Sequence, residues 1–249
     1  MNDIHDLRTR ARRVEAIAGI LIPANENSRR RLLKLLKPLR KAAGDVRDMD
    51  VLAAKARTLA GRQQDNSVVC LLEHLQAIRI ESARKLVNTV NKQRADTRDG
   101  LKQFSRRIEK HIHTRESGSA SKTTARKSYT DAAIRLMDEL SRWPAFSKDN
   151  LHPFRIEVKH LRYVLLLTET ADLKFVNALE KAKSRIGDWH DWQELRDIAL
   201  EVLDPKKNRP MLQEIDEIVG KKLKQALAAA HSVKTRYLGA YRGFTVVEP

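Results

Sequence analysis

Apolar residues at the start of the chain recur every three or four positions: Ile4, Leu7, Ala11, Val14, Ala18 and Leu21. That period places them on one side of a helix over residues 3–21. Pro23 and the polar run at 25–28 end it, and Ser28 is suited to cap a second helix over 29–43. In the second helix Leu32, Leu35, Leu36 and Leu39 point inward. Gly44 reads as its terminator and Asp45 as the cap of a third helix over 46–59, closed by Gly61. A long fourth pattern runs from Ser67 toward His113, with Gly100 as a candidate break. Residues 114–121 have the only flexible-linker composition, so the boundary between two halves, 1–116 and 122–249, is placed there. Helices are then expected over 123–142, 154–170, 173–186, 189–203 and 211–238. Pro144, Pro153, Gly187, Pro205 and Pro210 punctuate them.

The second half repeats the first. His5-Asp6-Leu7-Arg8 and Arg12 match His152-Pro153-Phe154-Arg155 and Lys159, and Gly44 to Asp50 match Gly187 to Gln193. Leu71, Leu75, Arg79 and Arg84 are matched to Leu223, Leu227, His231 and Arg236. Three local elements in a fixed order read as a tandem duplication of one helical unit. The expected fold is all-α, with two pseudo-symmetric antiparallel bundles that can present their faces to one groove or pore.

Composition agrees with helices. Gly and Pro are scarce, at 9 and 7 residues, which disfavours a many-stranded sheet. The longest apolar run, residues 16–24, is less than half of the roughly 20 residues a membrane span needs, so no membrane partner is expected. The first residues lack the pattern of a secretory signal, and the lone Cys70 suits a reducing compartment, so a cytoplasmic location is expected. Cys70 itself reads as a small buried apolar side chain.

Charge changes the picture most. Lys and Arg number 49 against 32 Asp and Glu, a net of +17. The surplus is +8 over residues 1–63, +6 over 64–149 and +3 over 150–249, so no basic tail supplies it. A body so charged repels itself unless a polyanion is near. His5, Arg8 and Arg12 share one helix face, and His152, Arg155, Lys159 and Arg162 repeat the pattern. Arg30, Lys34, Lys37 and Lys41 form another stripe, in a helix with seven cations and no acid. Most charge runs are solvated faces with partners one turn away. A stripe without an acid in its own helix points instead to a multivalent anion site.

The Gly-Asp-x-x-Asp segments invite a magnesium reading through Asp48, Asp50, Asp188 and Asp191. Gln193 replaces Asp50 in the second copy, so capping or cation-orienting roles for Asp45, Asp48, Asp188 and Asp191 are favoured over metal. His5, His152 and His190 could be metal ligands or general bases, but no zinc spacing accompanies them. A histidine at a helix start that donates to phosphate is simpler. No phosphate loop or nucleophile elbow occurs, so no catalytic residue, metal or cofactor is expected.

His152-x-x-Arg155-x-x-x-Lys159-x-Leu161-Arg162-Tyr163, together with the segment from Ala43 to Val51, resembles the CHAD family, the conserved histidine α-helical domain. The resemblance spans about residues 4–238. It implies two four-helix bundles around a basic groove that binds long-chain inorganic polyphosphate. The family's basic positions fall on His5, Arg8, Arg12, Arg13, Lys37, Lys41, Arg79, His152, Arg155, Lys159 and Arg162. The chain departs from the pattern at Glu15, Pro153 and Glu180. The adjoining Glu-x-Glu-x-Lys strand of some relatives is absent, so no catalytic role carries over. The expected activity is non-catalytic polyphosphate binding, in the cytoplasm or at a polyphosphate granule. The competing expectation is single-stranded RNA or DNA binding on the same surface. Aromatic residues, the usual stacking platforms for bases, make up only 5% of the chain.

Overall fold

The computed structural model describes residues 2–21, 26–59, 66–116, 120–168 and 171–239. Those residues form seven α-helices and no strand: α1 Asn2–Leu21, α2 Asn27–Leu59, α3 Asn66–Glu116, α4 Ala120–Ser141, α5 Lys148–Leu165, α6 Leu173–Val202 and α7 Arg209–Val233. A π-helical turn, Lys234–Leu238, continues α7. The chain divides into two compact units. One comprises Met1–Ala125 with Ala199–Asn208; the other comprises Arg126–Ile198 with Arg209–Pro249.

In the first unit the leucine stripe of α2 lies between α1 and α3. Leu32 and Leu36 close on Ala18 and on Phe104, with Val14 packed beside them. A second cluster joins Ala42, Ala43 and Val46 to Leu86, flanked by Ile4, Leu7, Ala83 and Val90. In the second unit Phe154 is fully buried and meets the Trp143 and Phe146 rings edge-on, at 5.4 and 4.8 Å. Val158, Leu161 and Leu165 continue that stripe, all buried as their spacing predicts.

Several expected helix ends are absent. The helices foreseen on either side of Gly44 are one helix, and so are those on either side of Gly187. Neither Asp45 nor Asp188 is therefore an N-cap; both sit in mid-helix. Neither glycine has a positive φ. At Gly187 the reason for glycine is close approach, described below. Gly100 does not break α3 either. It is buried, and a Cβ there would lie 2.9 Å from Leu35 Cδ1 of α2. Ser28 falls inside α2, its hydroxyl donating to Glu26 Oε1.

Helix α5 begins six residues earlier than expected. Ser147 caps it, accepting from the Asp149 amide, while the Asn150 side chain accepts from the Ser147 amide. His152 consequently lies more than a turn inside the helix and caps nothing. Cys70 is exposed rather than buried; it lies beside the equally exposed Val69 on the outer side of α3. Pro23, Asn25, Gly61 and the middle of the 114–121 linker fall outside the described residues.

A candidate anion-binding face on each unit

Each unit contains an arginine laid over a glycine. In the first unit Arg8, from α1, donates from Nη1 to Asp48 Oδ1 of α2 at 2.9 Å. Its guanidinium covers Gly44, where a Cβ would be only 4.0 Å from Nε and Cζ. Arg47 Nη1 approaches the same Asp48 oxygen at 3.5 Å. Asp48 thus holds a cation in orientation, as its place one turn beyond the glycine suggests. In the second unit Arg155, from α5, covers Gly187 more tightly. A Cβ at 187 would stand 2.6 Å from Nη2 and 3.0 Å from Nε, and that Nε donates to the Lys183 carbonyl at 3.2 Å. Gly187 leaves room for a guanidinium that a Cβ would obstruct, Gly44 lies in ordinary contact with one, and neither stops a helix.

The α5–α6 face is ordered by one antiparallel register. His152 meets the His190 ring with centroids 4.8 Å apart. Arg155 covers Gly187, and Arg162 Nε lies 2.9 Å from Glu180 Oε2. Each step of three or four residues up α5 is matched by the same step down α6, which brings Lys159 level with Lys183. The Arg162–Glu180 contact is an ion pair out of line for a hydrogen bond. Burial pushes the Glu180 carboxyl up, but the hydrogen bond and charge of Lys183, with Arg162, outweigh it and hold it below the usual carboxylate range. Further along, Lys222 of α7 pairs with Asp188 at 2.7 Å. Asp188 therefore anchors α7 to α6 instead of capping a helix.

His152 feels mainly positive surroundings. Burial, followed by the charges of His190, Arg155 and Lys159, lowers its pKa below the ordinary value. Nothing among those causes raises it. The four side chains therefore form an electropositive focus on one exposed edge of the unit.

On the first unit the cations are distributed differently. Arg30, Lys34, Lys37 and Lys41 are all exposed along one side of α2. Lys34, Lys37 and Lys41 make no ion pair among the described residues, whereas Arg30 does have a partner. At 3.6 residues per turn this stripe runs into the Gly44–Asp48 surface that Arg8 occupies. Arg12 is half-buried with partners of its own, and Arg13 is exposed. His5 lies on α1, its side chain outside those described. Arg79 of α3 is pulled into a 2.5 Å ion pair with Asp50 of α2, so the expected ligand cation is an inter-helix tie. The matching α6 positions are Leu173, Asn177, Glu180 and Ser184, which carry no cation. In the second unit the positive stripe is on α5 instead.

Three contacts went unread in the sequence. Glu15 turns inward to Arg40 at 2.9 Å, converting a departure from the family pattern into an α1–α2 tie. Lys183 and the facing of His190 on His152 were also missed. Reversed spacing could have disclosed them: the α5 steps from 152 to 155 to 162 mirror the α6 steps from 190 to 187 to 180.

Among the described residues no cluster of three metal-binding side chains occurs, and no helix is long and apolar enough to cross a membrane. No curated protein and no solved structure matches the chain. The CHAD domain family matches residues 2–200, a stretch that holds α1 to α5 and all but the end of α6, with both arginine-over-glycine contacts, and stops short of the expected limit near 238. With four-fifths of its length matched, the chain belongs to the CHAD domain family.

Proposed function

We propose that this protein binds long-chain inorganic polyphosphate without turning it over, on the cationic faces of α1–α2 and α5–α6, and that it does so in the cytoplasm or at polyphosphate granules. Family membership supports the ligand class. The observation that carries the reading is the convergence of Arg155, Lys159 and the facing His152–His190 rings, centroids 4.8 Å apart, on one face, where burial and then these neighbours lower the proton affinity of His152. Such a cluster is costly alone and is relieved by a dense polyanion. Arginine forks engage two phosphoryl oxygens at once, and the exposed lysines of α2 act as point charges.

Binding to polyphosphate of defined length, beside single-stranded RNA of matched charge, tests it. Log affinity should fall with log salt by about 0.7 per phosphate engaged, by analogy with single-stranded nucleic acid. Alanine at Lys34, Lys37 and Lys41, or at Arg155, Lys159 and Arg162, should each reduce that slope. If RNA displaces polyphosphate at equal phosphate concentration, the surface is a nucleic-acid site. Release of free phosphate on long incubation with magnesium would make the protein an enzyme.

A further inference from the structure

Every cation of the two faces except histidine keeps its charge across the physiological range, so arginine and lysine supply an attraction that is flat in pH. The His152–His190 contact is different. We propose that this facing histidine pair makes anion binding at the α5–α6 face proton-linked: a phosphoryl oxygen seated against the rings is received by protonated His152, so binding draws a proton from solvent and tightens as the solution is acidified. The inference rests on the polyphosphate reading and adds its regulation.

The groups around the pair set its behaviour. From α5, Asp149 stands one turn before His152, and Arg155 and Lys159 stand one and two turns after it. From α6, His190 faces it directly, Gly187 offers no side chain, and Asp191, Glu194 and Lys183 lie on either side. Asp188 is held by Lys222 of α7. Glu194 Oε2 is 4.0 Å from His190 Nδ1. Two imidazoles 4.8 Å apart, beside Arg155 and Lys159, do not both charge cheaply. His152 is therefore the ring whose charge waits for a ligand, and its lowered proton affinity has that direction. A bound anion reverses the sign of the local field and raises it. By linkage, each proton taken up contributes a slope of up to about one decade in affinity per pH unit.

The test is binding of long-chain polyphosphate at fixed ionic strength and at several pH values between neutral and mildly acidic, for the native protein and for the double variant His152→Gln with His190→Gln. The native affinity should rise by about tenfold or more over two pH units, and that of the variant by less than about threefold. The other histidines are common to both proteins, so the difference belongs to this pair. Calorimetry of the native protein in two buffers of different ionisation enthalpy gives the protons taken up without any substitution. A positive count supports the linkage. Zero uptake, or equal pH slopes in the two proteins, overturns it while leaving the polyphosphate reading intact. Absence of polyphosphate binding at every pH overturns both.

Discussion

Gly187→Ala separates the packing of the α5–α6 face from its chemistry. The new Cβ would lie 2.6 Å from Arg155 Nη2, closer than atoms tolerate, but the obstacle is the far end of a flexible side chain. The helix therefore keeps its path and the guanidinium swings away, giving up its bond to the Lys183 carbonyl. Alanine in mid-helix gains about 0.5–1 kcal/mol over glycine. Loss of a hydrogen bond from a charged donor costs about 1.5 kcal/mol or somewhat more. The two nearly cancel, so melting should move by no more than about 2–4 °C. Affinity should move much further, because a displaced Arg155 forfeits charged hydrogen bonds to phosphate worth about 1.5–3 kcal/mol, or roughly ten- to a hundredfold. Gly44→Ala is the control. There the Cβ meets Arg8 at 4.0 Å, an ordinary contact, so that variant should be stabilised with its affinity nearly unchanged. Calorimetric melting and polyphosphate titration of both variants decide the matter. Equal loss of affinity in the two, or none in Gly187→Ala, would refute the account of why position 187 is glycine.

Three further outcomes are expected. Leu161 is fully buried, so Leu161→Ala should cost about 2–5 kcal/mol in denaturant unfolding, and a loss well under 1 would place it outside a packed core. His152 holds its proton less tightly in the fold than when exposed, so the unfolded chain binds the proton first on acidification. Its contribution to stability is full above about pH 6.5 and falls as pH drops through that value, which His152→Gln should abolish in melting curves. Cys70, being exposed, should react with a thiol reagent in the native protein as fast as a free surface thiol. Reaction only on unfolding would contradict its position on α3.

The apolar stripes were legible because burial follows helical period directly: Leu32, Leu36 and Leu39, like Phe154, Val158 and Leu161, fall where spacing puts them. The glycines misled because a stop signal and a gap for a guanidinium look alike in one dimension. Only the partner helix distinguishes them. Cys70 misled because its burial preference is a property of residue type, while its exposure follows from the face of α3 it occupies. The basic positions were visible as a set, but their division was not. Arg8, Arg79 and Arg162 have carboxylate partners tens of positions away or on another helix, so local sequence could not show which cations the fold had already engaged. The exposed Lys34 and Lys37 could be recognised because no acid lies within a turn of them, whereas the continuation of α2 through Gly44 brings Asp45 within a turn of Lys41.

One feature of the connectivity bears on how the protein can be dissected. Residues 199–208 belong to the first unit although the chain on either side of them belongs to the second. Ser67 bonds to Asn208, and Leu203 is buried. No single scission can therefore liberate either half whole. A fragment stopping at the linker would forfeit its last stitch, and the complementary fragment would carry a stranded piece with nothing to fold against.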